Sequence, residues 1–323
     1  MNKHKNKEQH TVPNCYLKRF ATVSEYNNKQ HDIFYYNKET GLSKKTSTDS
    51  GKMTEKHFYT ISPQFLKNPS SIDDSLLVEG ELAKIESDFI LNLKYLDNVF
   101  NDNKSRSLSE IFGIRNAKII KENISFYIGV QAMRTEVKRK DYKDSFMGLS
   151  SKIDKMFRCG DSSKLWPDMD DDRANLESSL LIFSLADIYK QLFSSEDYCW
   201  FFGVNGSKTS FYTSDNPVVI DYQDCPDRGL VSSKIHLFFP LSPKRILFIV
   251  KKKFVGENYL SWLKLNNGVL LFTEDMVEMV NKLQIRQSFR YIYSIEDNFS
   301  LARLECNRNP VLKDIHRSRI QIL

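Results

Sequence analysis

The order in which hydrophobic periodicities occur constrains this chain more than any single motif. Strand-like stretches open it, helical stripes fill the middle, and strand-like stretches return in the last third. A parallel βαβ sheet needs strands and helices to alternate, and here they are segregated with no internal repeat. The expected class is α+β: antiparallel strands from the N- and C-terminal parts with a largely helical middle. One domain over 1–323 is expected, with an N-terminal helix and hairpin at 10–61, a helical middle at about 73–195 and a strand-rich part at about 196–295, because no Gly/Ser- or Pro-rich linker isolates the middle.

Val12 to Ala21 reads as a short helix, with Pro13 in its first turn. Asp32–Tyr36 reads as a strand turned back at Asn37–Gly41 into a Thr- and Lys-rich partner, and His57–Ile61 as another strand. Ser71–Asp74 offers caps for a helix from about Ser75 to Leu96, striped by Val78, Leu82, Ile85, Phe89, Leu93 and Leu96. Asn101–Ser105 reads as a linker. Helix is expected over about 108–157, with breaks near Gly113 and Gly148, then a polar loop at 161–172 and a helix from Leu176 to Phe193. Tyr198–Val204, Asn205-Gly206 and Thr209–Thr213 give the strongest hairpin signal. Strands at 234–239 and 245–251 about a Pro240–Pro243 turn, a helix at about 276–289 and a strand at Tyr291–Ser294 follow. The last twenty-odd residues are basic and polar and are expected to be partly mobile.

Composition mainly excludes. The five cysteines are scattered without a C-x-x-C pair, which argues for reduced thiols in a cytosolic protein and against a zinc ribbon. No run approaches the ~18 apolar residues of a membrane span, and the polar start has no signal-peptide core, so a soluble cytoplasmic protein without membrane contact is expected. The net charge of +6 is compatible with a nucleic acid or nucleotide partner without establishing one. There is no Walker A loop, G-x-G-x-x-G, G-x-S-x-G or His-Glu-x-x-His. Ser214-Asp215-Asn216 matches one element of the penicillin-recognising serine enzymes. The required Ser-x-x-Lys follows it, at Ser261–Lys264, rather than preceding it, and Lys-Thr-Gly is lacking, so Ser214 is not read as a nucleophile.

Phe211–Ile220 places two β-prone arms around a compact polar turn closed by Pro217. Together with His10-Thr11-Val12-Pro13-Asn14-Cys15-Tyr16-Leu17-Lys18-Arg19-Phe20, the helical Leu82–Ser87, Met133-Arg134-Thr135, Phe239-Pro240-Leu241-Ser242-Pro243 and Tyr291–Ser294, it resembles the mainly bacterial family of unknown function DUF4238 over nearly the whole chain. Asn14-Cys15 departs from the Gln-Phe-like pair of that family. The resemblance implies one shared architecture and supplies no established activity.

The polar residues of the shared motifs are His10, Glu86, Arg134 and Asp215, with Asn216 beside the last. Four distant segments supplying a His, two carboxylates and an Arg is how an active site is assembled. In that reading His10 is an acid/base or ligand, Glu86 and Asp215 are bases or ligands of a divalent metal, and Arg134 clamps a phosphate with Lys138 and Asn216. The function expected is a hydrolase acting on a phosphodiester or nucleotide, nuclease-like, with the family type suggesting a toxin or phage-defence effector. The alternative is a non-catalytic binding or interaction module, in which His10 caps a helix, Glu86 and Arg134 pair, and Asp215 holds its turn. Glu79 and Glu86 share a helix face, but no Glu-x-x-His accompanies them, which argues against a di-iron bundle site. Arg134, Lys138, Arg139, Lys140 and Lys143 form a candidate phosphate-facing stripe. Lys251–Lys253, at a strand end, is read as the blunting of an edge strand.

Overall fold

A computed structural model of the chain describes residues 8–67, 75–101, 108–157, 170–222, 235–255 and 269–317. The caps at Ser71–Asp74, the linker after Asn101, Cys159, Cys225, Ser261–Lys264 and all but the end of the acidic loop at 161–172 lie outside these residues.

The fold is α+β, as its order of periodicities requires. The N-terminal part supplies β1 (Glu8–His10), α1 (Asn14–Leu17), β2 (Thr22–Val23), β3 (His31–Asn37), β4 (Ser43–Ser47) and β5 (Thr54–Lys56). The middle supplies α2 (Leu77–Asn101), α3 (Leu108–Phe112), α4 (Ile114–Met133), α5 (Glu136–Phe157) and α6 (Asp171–Phe193). The remainder supplies β6 (Tyr198–Asn205), β7 (Thr213–Ser214), β8 (Val219–Asp221), β9 (His236–Ser242), β10 (Arg245–Lys251), β11 (Val269–Phe272), α7 (Glu274–Gln287), β12 (Tyr291–Ser294) and α8 (Ser300–Arg308).

Two five-stranded sheets carry most of the strands. One runs β11-β6-β10-β9-β8, and is antiparallel except where β11 lies parallel to β6. In the other, β12 lies between β3 and β7, and β2 and β4 join β3. β1 and β5 form a separate antiparallel pair. The α2 stripe is buried at Val78, Leu82, Phe89, Leu93 and Leu96. One cluster joins Val12 and Phe20 to Phe89, Ile124 and Tyr127 of the helices and to Leu237, Phe239 and Tyr293 of the sheets. On the other face of the β11-β6-β10-β9-β8 sheet, Val277 and Val280 of α7 pack on Phe211, Phe248 and Phe272. α4 and α6 cross closely at Gly129, where an added Cβ would lie 2.7 Å from the Ala186 Cα.

Four local expectations are corrected. Asn205-Gly206 does not make a hairpin: β6 pairs with β10 and β11, and β7 pairs with β12. The Asn205 side chain folds the turn on itself, accepting from Ser207 N at 2.8 Å and donating to Thr209 O at 2.7 Å, and so sends the chain to the second sheet. The long helix breaks at Gly113, where φ is 78°, but runs through Gly148 and breaks instead at Arg134-Thr135. His57 adopts a positive φ of 55° in a turn, which ends the strand at Lys56. The C-terminal stretch forms α8, with Ala302 and Cys306 buried against Tyr36 and Phe299.

Candidate functional site

Arg134 sits at the break between α4 and α5 and is 3% exposed. Such a buried guanidinium needs its donors filled, and three partners from distant segments fill them. Nη1 donates to Glu86 Oε1 at 2.6 Å, Nη2 to the His10 carbonyl at 2.7 Å, and Nε to Tyr59 Oη at 3.0 Å. Tyr59 Oη in turn donates to the Arg134 carbonyl at 3.1 Å, satisfying an acceptor that the helix break exposes. Gln9 completes the junction, accepting from Tyr59 N and donating to Glu79 Oε2. The α2 face that carries Glu79 and Glu86 is therefore a docking edge for the N-terminal strand. Glu86 and Tyr59 hold the Arg134 charge firmly, although burial works against it.

His10 lies beside this junction. Its backbone is fixed by pairing to Thr54 and by Arg134, while its half-buried ring is left with Nδ1 unbonded. Burial pushes its pKa below the ordinary 6.5, and Glu86 and Asp49 pull it back only in part. The Met53 carbonyl near the ring adds a weak upward pull without a well-aligned bond to Nδ1. The ring is thus neutral at neutral pH. Cys15 is nearby, its thiol pushed up to about 11 by burial and by Glu86, which makes it a poor nucleophile. Tyr127 Oη, in the same field, is buried and unbonded.

Asp215 is held elsewhere. Its two oxygens accept from Phe289 N at 2.7 Å, Arg290 N at 2.6 Å and Tyr291 N at 2.7 Å, at the end of α7 and the start of β12. Burial pushes its pKa up, and Lys38 and the three N–H donors pull against that. Every partner is a donor, so the cradle suits the carboxylate. Lys38, itself buried, donates to the Ile285 and Ser288 carbonyls that end α7. Asn216 donates to the Gln287 carbonyl, and Ser214 Oγ to Gln284 Oε1. Asn281, Gln284 and Gln287 stand three residues apart on α7. Their amides take up the Ser210 and Pro217 carbonyls, Tyr212 N, and both backbone groups of Ile220. The polar turn of 211–220 is fastened to a helix where strand pairing is missing.

Of the sequence-derived candidates, then, His10, Glu86 and Arg134 come together and Asp215 and Asn216 do not join them. Glu86 and Asp215 serve different partners, and among the described residues no group of three His, Cys, Asp or Glu side chains is placed to hold a metal ion. Each Arg134 nitrogen already bonds an internal partner and the side chain is 3% exposed, which leaves it no open face for a phosphate clamp. The basic stripe is also occupied: Lys138 pairs with Asp141 at 3.2 Å, Lys140 with Asp144 at 2.9 Å, and Arg139 stacks 3.4 Å over the Phe58 ring.

Sequence reasoning passed over Tyr59, Gln9 and Glu136. Tyr59 looked like one more strand aromatic. Glu136 has a signal, an acid two residues after the motif arginine. Burial, Asp215 and Glu55 push it up to about 7, against Arg290 and Arg139.

The shared motifs meet physically. Tyr16 Oη bonds Thr213 Oγ1 at 2.9 Å and donates to the Pro240 carbonyl at 2.6 Å, so one phenol joins three of them. Arg19 adds Nε to the Leu241 carbonyl and a two-pronged pair with Asp97. Among the described residues no helix is long and apolar enough to cross a membrane. No curated protein and no solved structure matches the chain. The family described as "Protein of unknown function (DUF4238)" matches residues 8–298, covering each of these interlocked motifs, and the chain belongs to that family.

Proposed function

We propose that the protein is a hydrolase acting on a phosphodiester or nucleotide substrate, with His10 as its acid/base group. The observation that carries this reading is the neutral, half-buried His10 ring beside a Glu86 carboxylate fixed by Arg134. A neutral imidazole takes a proton from an attacking water and returns it to the leaving oxygen, and a carboxylate beside it stabilises the imidazolium in between. Arg134 and Tyr59 position Glu86 and the His10 backbone; they do not bind substrate. The substrate class rests on the positive net charge and on the motifs lacking for other chemistries.

The test is a hydrolysis screen of RNA, DNA and nucleotides, with and without Mg²⁺ or Mn²⁺. His10→Asn should lower the rate by ~10²-fold or more while melting like the wild type. The acid limb of the pH profile should fall below the ordinary histidine value of 6.5. Unchanged turnover in His10→Asn, or a wild type inactive on every substrate, would overturn the proposal.

One observation favours the second reading, an interaction module. Every nitrogen of the Arg134 guanidinium and both oxygens of Asp215 bond internal partners, as those of structural residues do. In that case His10→Asn and Glu86→Gln would change stability and nothing else.

A further inference from the structure

Two sets of charge beside the sheets stand differently. Lys251–Lys253 do not blunt an edge: β10 is the central strand of its sheet, bonded to β6 and β9, and Lys251 and Lys253 have interactions of their own. Asp49 is the contrasting case. It is exposed in the turn between β4 and β5, and among the described residues no cation pairs with it.

That turn is fixed from several sides. Thr48 N donates to the His31 carbonyl at 2.9 Å, Asp49 N to Ser47 Oγ at 3.2 Å, and Ser50 N to the Ser47 carbonyl at 3.0 Å. Met53 N donates to the Ser50 carbonyl at 3.0 Å, and Tyr293 Oη of β12 donates to the Lys52 carbonyl at 3.1 Å. The chain then enters β5, where Thr54 stands opposite His10. The side chain is held too, because Asn14 Nδ2 donates to Asp49 Oδ1. One short segment, from His10 to Asn14, therefore carries both the ring and the tether of the carboxylate beside it.

Three charged groups act on the His10 ring: Glu86 of α2, Asp49 of the turn, and Arg134 at the break between α4 and α5. Glu86 is bonded to Arg134 at 2.6 Å. A carboxylate paired so closely has its field partly cancelled at a distance, whereas an unpaired one acts with its full charge. We infer that Asp49 is a positioning residue of the His10 site, the unpaired counter-ion that attracts the imidazolium when the ring takes up a proton. Because Asp49 is exposed, its attraction passes through water and is open to screening by salt. Glu86, 26% exposed and fixed by a buried guanidinium, is screened less. The inference rests on the acid/base reading of His10 above, but its test follows protonation directly and needs no substrate.

The test is a ¹H–¹³C NMR titration of the His10 ring in the labelled full chain, with the signal assigned by its loss in His10→Asn. Asp49→Asn removes the charge and keeps an oxygen for Asn14, and its His10 midpoint should fall by about 0.5 in pH at low salt. Asp49→Glu, which keeps the charge, should stay within about 0.2 of wild type, and Asp187→Asn, at an exposed carboxylate on α6, within about 0.1. In the wild type the midpoint should fall as salt rises to about 0.5 M, and Asp49→Asn should lose about half or more of that dependence. Thermal melts confirm that each variant folds. A midpoint in Asp49→Asn within about 0.1 of wild type, an equal shift in Asp187→Asn, or a wild-type midpoint indifferent to salt would each overturn the inference. A shifted midpoint in a protein that hydrolyses nothing would uphold the counter-ion and overturn the hydrolase reading alone.

Discussion

The Arg134 junction and the Asp215 cradle are built from the same materials and end in different states. At Asp215 three amide donors meet one carboxylate, and Lys38 and the amides of α7 occupy the neighbouring carbonyls. At Arg134 the guanidinium is equally satisfied, yet the junction leaves His10 Nδ1 and Tyr127 Oη unbonded and Glu86 partly exposed. A closed network fixes the chain. A network that leaves buried polar groups unbonded carries their desolvation cost instead. A signature motif therefore marks a role only after its bonds have been counted.

The largest effect should come from opening the closed network. Asp215→Ala leaves three buried N–H groups without an acceptor and should cost on the order of 3–5 kcal/mol, read by urea unfolding. A loss under about 1 kcal/mol would show that the cradle is not a lock. Next, Arg134→Met strips Glu86, Tyr59 and the His10 carbonyl of their shared donor and should cost about 2–4 kcal/mol. Arg134→Lys should rescue only part of this, since a lysine cannot reach three directions in one plane.

Glu136, facing Asp215, Glu55, Arg290 and Arg139, links the two regions and should show it through pH. Its folded value of about 7 lies above the ordinary 4.5, so the folded state holds an extra proton between them. Stability therefore falls as pH rises through that window, and the cost is complete above it. Glu136→Gln should flatten the slope between pH 5 and 8 and add at most about 3 kcal/mol at the upper end, measured by unfolding at each pH. An unchanged slope would remove Glu136 from the coupling. The smallest effect is expected at the spare group: His10→Asn should change stability by about 1 kcal/mol or less, because its ring completes no network.

Much of the architecture was legible because it is written in spacing. The α2 stripe is buried at Val78, Leu82, Phe89, Leu93 and Leu96 as its period requires, whereas α6 starts at Asp171, five residues before the expected Leu176, because Asp170 caps it by accepting from Arg173 N at 2.7 Å. What misled was local chemistry whose partners lie far away. Asn205-Gly206 turns the chain as such pairs do, but the partner of β6 begins forty residues on, at Arg245. Gly148 was a plausible break, yet the real one is made at Arg134-Thr135. There the Arg134 side chain bonds Glu86, Tyr59 and the His10 carbonyl, and Thr135 Oγ1 accepts from Lys138 N where the next helix starts. At the site, residue types announced polarity and could not announce saturation: Asp215 reads alike in sequence whether its oxygens face a substrate or three amides.

The placement of β12 bears on how the chain is made. β3, at residues 31–37, finds its inner partner only at residues 291–294. A ribosome must release more than 250 further residues after β3 before that sheet can close, so Phe34 to Asn37 wait on an open edge while they are made. Chains cut short before Tyr291 would carry that edge permanently and should aggregate rather than fold. Closure of that sheet is then governed by β12, a stretch made long after its partner β3, whatever the early segments have already formed.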